Sequence, residues 1–382
     1  MVDVYLLKAN EGDCLVIRYG NEEKKHNIIV DGGTATCGKT VKSIIERCND
    51  KDEEIDLILI THVDKDHICG IIDGFANVDE KILQNSIRCI AFNTRKGFQH
   101  HNKLVLRPGI GPEETVKTAI FAGDGCSIKD AKSLLEIIND KGLCDKVKDY
   151  IIAGTEMNIG GAKLTILSPD EKSLARFMND WEDDFEHQAA HGCSSGFPDV
   201  IYNDLSTLMN EYRLGTDGSL SNRASIAFIF EYEDKKILFL GDAAAPVYVK
   251  ELKKCFNSKK IAVDIVKLSH HGSSRNLSGD FLKIIDTEIF MISSNGTTLK
   301  GQYTVPGKVA IAKLLKGRKK VVLLNNYRWW ETTYQNQYFT ENDIRKYINT
   351  KVLELVDVSK NPYNVKQGLN VYGKFTTKKL IG

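Results

Sequence analysis

Short apolar runs separated by turn residues dominate the first sixty positions. VDVYLL, CLVIRYG and NIIVDGG read as strands, Lys39 to Cys48 as a helix, and IDLILIT as a buried strand. That order predicts a sheet followed by a helix-to-strand crossover. The second half repeats it: SIAFIFEYEDKKILFLGDA reads as two strands turning at Glu233 and Asp234, then a helix from about Val247 to Cys255 and the strand VDIVKLS. Strand IFMISSN, helix Lys308 to Leu315 and strand KKVVLLNN follow.

Two stretches break this rhythm. Residues about 76–150 hold a strand at IRCIAF, a loop with Gly97, His100, His101 and Pro108, and a helix from about Lys129 to Asn139. Strand-like MNIGGAKLTILSP follows. Residues about 171–220 include DWEDDFEHQAAHGCSSGFPD, an acidic aromatic run mixed with Gly, Ser and Pro, expected as an insertion that covers the site. The expected organisation is one elaborated domain over 1–325 carrying these two insertions, then an aromatic and basic C-terminal extension over 326–382.

Composition narrows the class. With 382 residues, 42% hydrophobic and 27% charged, the chain is ordinary globular material able to bury a large core. A net charge of +1 gives no global basic field toward nucleic acid. No apolar run approaches the roughly 20 residues needed to span a bilayer, and MVDVYLLKANEGDC lacks the basic and apolar regions of a signal peptide, so a cytoplasmic protein with no membrane partner is expected. The nine cysteines are scattered, odd in number and never in a C-x-x-C pair, which suits free thiols.

The chemistry begins after IDLILIT. His62, Asp64, Asp66 and His67 fall within six positions at a strand end, where a short loop can turn all four toward one spot. Imidazoles with carboxylates suit zinc, manganese or iron. Asp242 follows the apolar run KILFLG and precedes a helix. A lone Gly-Asp is ordinarily a turn with a capping carboxylate, but this position at a sheet end favours a ligand. His270 and His271 follow VDIVKLS; adjacent residues of a strand face opposite ways, so His270 is taken as the ligand and His271 as a supporting group or proton donor.

The string THVDKDHICG resembles the signature loop of metallo-β-lactamase-fold hydrolases, in the His-x-Asp-x-Asp-His form of the domain similar to the cytoplasmic part of ComEC/Rec2 competence proteins. Gly12-Asp13, Asp31-Gly32-Gly33, Asn222 with Ser225, LFLGDA and LSHHGSS match in the same order, over roughly residues 2–75 and 155–325. The resemblance implies an αββα four-layer sandwich of the α/β class. It implies one or two divalent ions, zinc or manganese: His62 and Asp64 on one; Asp66, His67 and His270 on a second; Asp242 bridging. No third protein ligand for the first ion is evident, and Cys69 stands where a glycine is commoner.

The function so implied is hydrolysis by a metal-bound hydroxide, with Asp66, Asp242 and His271 as the catalytic group. The competence-like form favours a phosphodiester, in DNA or a nucleotide. A thioester, lactone or other acyl substrate is the rival enzyme reading, since one fold hosts many chemistries, and β-lactam hydrolysis is the least favoured. A sensor or assembly component of a bacterial defence system, with a degenerate metal site and a tail that binds a partner protein, is the rival from another class. His26, His100, His101, His187 and His191 read first as solvated. Trp329, Trp330, Tyr334, Tyr338 and Phe339, interleaved with Arg328, Arg345, Lys346 and Lys351, suit a stacking platform for single-stranded nucleic acid, though packing onto the sandwich is favoured.

Overall fold

Along β1 (Val2–Leu6), Val2, Val4 and Leu6 face one core while Tyr5 faces another, so a single strand serves two layers. β2 (Leu15–Gly20), β3 (Lys25–Val30) and β4 (Glu54–Leu59) alternate in the same way, with Ile17, Ile28 and Leu57 on one side and Val16, Ile29 and Ile58 on the other. The computed structural model describes residues 1–102, 127–180, 203–210, 216–257, 259–296, 298–299, 303–332, 338–359, 363–366 and 368–375.

The remaining strands are β5 (Ile90–Ala91), β6 (Val147–Lys148), β7 (Glu156–Ile159), β8 (Ala162–Ser168), β9 (Ala227–Tyr232), β10 (Lys235–Phe239), β11 (Ile261–Ala262), β12 (Ile265–Lys267), β13 (Ile285–Asp286), β14 (Ile289–Ile292), β15 (Thr298–Leu299), β16 (Tyr303–Thr304), β17 (Val321–Asn325), β18 (Leu353–Asp357), β19 (Tyr363–Lys366) and β20 (Leu369–Tyr372). Among the described residues sixteen of the twenty strands form two eight-stranded sheets, ordered β19-β20-β1-β2-β3-β4-β5-β6 and β18-β17-β14-β12-β10-β9-β8-β7, while β11 pairs with β13 and β15 with β16.

The inner faces meet in one core built from residues such as Leu6, Ile17, Leu57, Phe228, Ile237 and Met291. Helices Gly38–Asp50 and Lys65–Asn77 cover the outside of the first sheet through Ile44, Ile45, Ile71 and Phe75, and helices Ala245–Cys255 and Lys308–Leu315 cover the second through Tyr248, Leu252, Ile311 and Leu314. The result is an αββα four-layer sandwich. None of the described helices is long and apolar enough to cross a membrane.

The segment read from sequence as a C-terminal extension supplies strands to both sheets. β18 lies parallel to β17, and β20 lies parallel to β1 with β19 outside it. Trp329 is fully buried, donates its indole N–H to Asn325 Oδ1 at 2.9 Å and packs its ring on Tyr338. These aromatics are core, as packing predicts, and Trp329 and Tyr338 offer no exposed face to stack a base. Tyr334 lies outside the described residues.

Candidate metal centre

Three strand ends, one from the first sheet and two from the second, open on one rim. The loop after β4 carries His62 and Asp64 and runs into helix Lys65–Asn77, which carries Asp66 and His67; Asp242 follows β10, and His270 and His271 follow β12. The rim closes because glycines let backbones touch. A Cβ on Gly12 would fall 1.7 Å from the Asp66 carbonyl oxygen, and one on Gly70 would fall 1.9 Å from that of Gly32. Gly70 is therefore the position that cannot carry a side chain. Cys69 is free to be larger, and its thiol hydrogen-bonds to Asp130 on helix Ser127–Asp140.

Four imidazole Nε2 atoms surround one carboxylate. His67 Nε2 is 3.5 Å from Asp242 Oδ1, while His271, His270 and His62 Nε2 are 3.6, 3.8 and 4.0 Å from Asp242 Oδ2. Asp66 Oδ2 is 3.2 Å from His271 Nε2 and 3.6 Å from His67 Nε2; Asp64 Oδ2 is 3.4 Å from His62 Nε2.

Each ring is anchored through its other nitrogen. His62 Nδ1 meets Thr61 Oγ1 at 3.1 Å, His67 Nδ1 meets Asp31 Oδ2 at 2.8 Å, His270 Nδ1 meets Asp217 Oδ2 at 3.1 Å, and His271 Nδ1 meets the Ser293 carbonyl at 3.0 Å. Asp31 is itself held by the Thr61 amide and hydroxyl, both at 2.7 Å. Asp217 also accepts from Asn222 at 2.7 Å and Asn276 at 3.0 Å. Anchoring Nδ1 fixes the tautomer and presents Nε2 as a lone-pair donor, the arrangement of metal-binding histidines.

These donors fit a cation. His62 Nε2, His67 Nε2, His271 Nε2, Asp64 Oδ1 and Asp242 Oδ1 are buried without a hydrogen-bond partner among the described residues, an arrangement too costly to leave uncompensated. Two donors each about 2.0–2.2 Å from a tetrahedral ion stand about 3.3–3.6 Å apart, inside the 3.2–4.0 Å range of the separations above. The mixture of imidazole and carboxylate suits zinc, manganese or iron.

The charge balance points the same way. Burial alone would depress the pKa of His271, but Asp242, Asp13 and Asp66 overcome it and push it up to about 9. Burial is likewise overcome at His270, which Asp242 and Asp217 push up to about 9, and at His67, held well above its usual range by Asp242, Asp66 and Asp31. Burial opposes ionisation of Asp242, yet the facing histidines hold it well below the usual carboxylate range. The cluster demands positive charge, which either protons or a metal ion can supply.

The structure brings together all six residues expected from sequence as ligands, but distributes the histidine pair differently. His271, expected as support, sits with Asp66 and His67; His270, expected there, faces Asp242 with its Nδ1 held by Asp217. The reason is backbone geometry. Alternation holds in a strand, but both residues lie in a tight turn with left-handed φ of 49° and 54°, so both rings swing toward Asp242. Two non-glycine residues in that region cost of order 1–3 kcal/mol each.

Asp217, Asn276, Ser221 and Thr61 escaped the sequence reading. Ser221 donates to Asp64 Oδ2 at 3.0 Å. Thr61, next to His62 at the strand end, is the one with a local signal; Asp217 comes from a polar turn with none. His26 pairs with Asp56 and His101 stacks on Tyr150; neither they nor His100 belong to a metal-capable group among the described residues. His187, His191 and the acidic run around them lie outside the described residues.

No family model matches the chain, and no curated protein does. Solved structures similar to it include the metallo-β-lactamase fold protein YhfI from Bacillus subtilis (10% identity, 92% of this chain and 95% of that one, TM-score 0.36) and zinc-bound PqqB from Methylobacterium extorquens (10%, 89% and 84%, TM-score 0.37). A third is a mutant form of the CmlA β-hydroxylase (13%, 93% of this chain, TM-score 0.35), of whose length the chain spans 52%.

Proposed function

We propose that this chain is a metal-dependent hydrolase acting on a phosphodiester, in a nucleic acid or a nucleotide, and that it takes up one or two zinc or manganese ions. The observation that carries the reading is the ring of anchored Nε2 atoms around Asp242. A bound divalent cation lowers the pKa of a coordinated water and neutralises charge developing on the attacked group.

The chain's own residues divide the work. Asp66, His67 and His271 would hold one ion, His62, Asp64 and His270 the other, with Asp242 between them. Exposure marks the mouth: the Asp64, Asp66 and His270 side chains are 29%, 28% and 12% exposed, whereas those of His62, His67, His271 and Asp242 are at most 4%. A mouth lined by two carboxylates repels a phosphate, so binding of an anionic substrate should require cations. Asp64 in place of a histidine also hardens the first position toward oxygen-rich coordination. With His270 facing Asp242, both positions have donors, which favours a working site over a degenerate one.

The test is a substrate panel: a bis-aryl phosphodiester, single- and double-stranded DNA, RNA and cyclic dinucleotides with manganese, magnesium or zinc, beside aryl esters, thioesters and lactones. The Asp242→Ala variant, expected to fold and to lose activity, is the blank. Diester cleavage above that blank is expected, and on nucleic acid it should fall with added salt through counterion release. Acyl turnover without diester cleavage would replace this reading with its rival.

A further inference from the structure

A lysine stands in the interior of the sandwich. Lys267 ends β12, and strand alternation places it on the same face as Ile265, which belongs to the core between the sheets. Its side chain is 1% exposed. Its acceptor is Asp13 Oδ2, from the loop between β1 and β2 in the opposite sheet, and Asp13 is equally buried. A buried ion pair is weak evidence for stability, because desolvation offsets the attraction and apolar residues in its place are often no worse. The pair therefore calls for another role.

Its second oxygen supplies one. Asp13 Oδ1 is buried, has no hydrogen bond among the described residues, and stands 3.4 Å from His271 Nδ1, beside the Ser293 carbonyl that the same nitrogen contacts at 3.0 Å. The loop carrying Asp13 is tied to the site on two further sides. The Asp13 amide donates to the Asp66 carbonyl at 3.2 Å, and Ser293 Oγ donates to the Gly12 carbonyl at 2.7 Å.

We infer that Lys267 and Asp13 are positioning residues: the ion pair, pinned across the two sheets, holds Asp13 Oδ1 against the Nδ1 side of His271 so that Nε2 stays turned toward Asp66 and Asp242. Donation from Nδ1 to a carboxylate strengthens an imidazole as a ligand, and losing such a partner typically costs 10- to 100-fold in metal affinity. The inference rests on the reading of the cluster as a metal site. It assigns the cross-sheet pair to the ion held by Asp66, His67 and His271.

Zinc titration calorimetry, with circular dichroism as the check on folding, compares the parent with Asp13→Leu/Lys267→Met and Asp13→Asn/Lys267→Met. Both double variants remove the charges together, and the asparagine keeps an acceptor facing His271. The leucine variant should fold and bind zinc roughly 10- to 100-fold more weakly in one step, while the asparagine variant, which keeps the acceptor but loses the lysine that pins it, should lose only part of that. Should leucine prevent folding, Asp13→Ala/Lys267→Met, which adds no bulk, takes its place. Parent-like binding by the leucine or alanine variant would overturn the inference and leave the pair as a cross-sheet pin. Equal loss in the asparagine variant would also overturn it, since the effect would then follow the charge. A parent that binds no zinc would instead sink the metal reading beneath it.

Discussion

Two polar clusters with buried centres in this protein pair cationic side chains with carboxylates and differ in how they are closed. Lys308 and Asp343 are both inaccessible and pair at 2.8 Å. Asp343 also accepts from the Leu205 amide at 2.7 Å and the Thr340 amide at 3.2 Å, completing a capping box. Around Asp242, His62, His67 and His271 are almost as deeply buried, yet they use only Nδ1 on the protein and leave Nε2 aimed at the centre. A closed network spends every donor and acceptor on itself and serves to fix the fold; an open one saves its lone pairs for a ligand.

The sharpest way to break that contrast is to cut each cluster once. Lys308→Met strands Asp343 without its partner and should destabilise the fold by about 3–5 kcal/mol, while zinc content of the folded fraction stays that of the parent. Denaturant unfolding with metal analysis checks both; a loss of zinc would show that the two clusters are not independent.

A smaller effect should separate the two adjacent histidines. His271→Ala and His270→Ala should each remove one ligand and weaken zinc binding by more than the roughly 10- to 100-fold that losing an outer partner costs, but only the His271 variant should be insensitive to a further Asp13→Leu/Lys267→Met change. Titration of the combined variants reads this directly. Unchanged zinc affinity in His270→Ala would return that residue to a supporting role and leave the first position short of a donor.

The smallest expected effect is with pH. In metal-free protein His270 and His271 are raised to about 9 from an unfolded value near 6.5, so their contribution to stability is fully present below about pH 6.5 and lost as pH rises through about 9. The melting temperature of metal-free protein should fall by roughly 5 °C between pH 6.5 and 9.5. Zinc should reverse that fall, because it replaces the protons, and its affinity should weaken as pH drops toward 6. A metal-free melting temperature that rises with pH over this range would contradict the charge balance proposed for the cluster.

The alternating runs VDVYLL and CLVIRYG, the helical stretch before IDLILIT and the density of ligands in HVDKDH made the sandwich and most of the candidate site legible, because periodicity and local spacing are properties of neighbours in the chain. What was not legible came from afar. Asp217 reaches His270 across 53 positions, Ser221 reaches Asp64 across 157, and Lys267 reaches Asp13 across 254. The alternation rule does not foresee that both His270 and His271 face Asp242, because the pair lies in a left-handed turn beyond the strand end.

By itself, then, the sequence determined which segments become strands and helices and which loop carries the ligand chemistry, since both follow from residue type at short range. Only the tertiary structure decided that the tail supplies strands to both sheets, that a lysine enters the core to meet an aspartate from the opposite sheet, and that both His270 and His271 face Asp242. Each of those outcomes depends on which distant surfaces come into contact, and it is the closing of two sheets on one another that fixes the contacts.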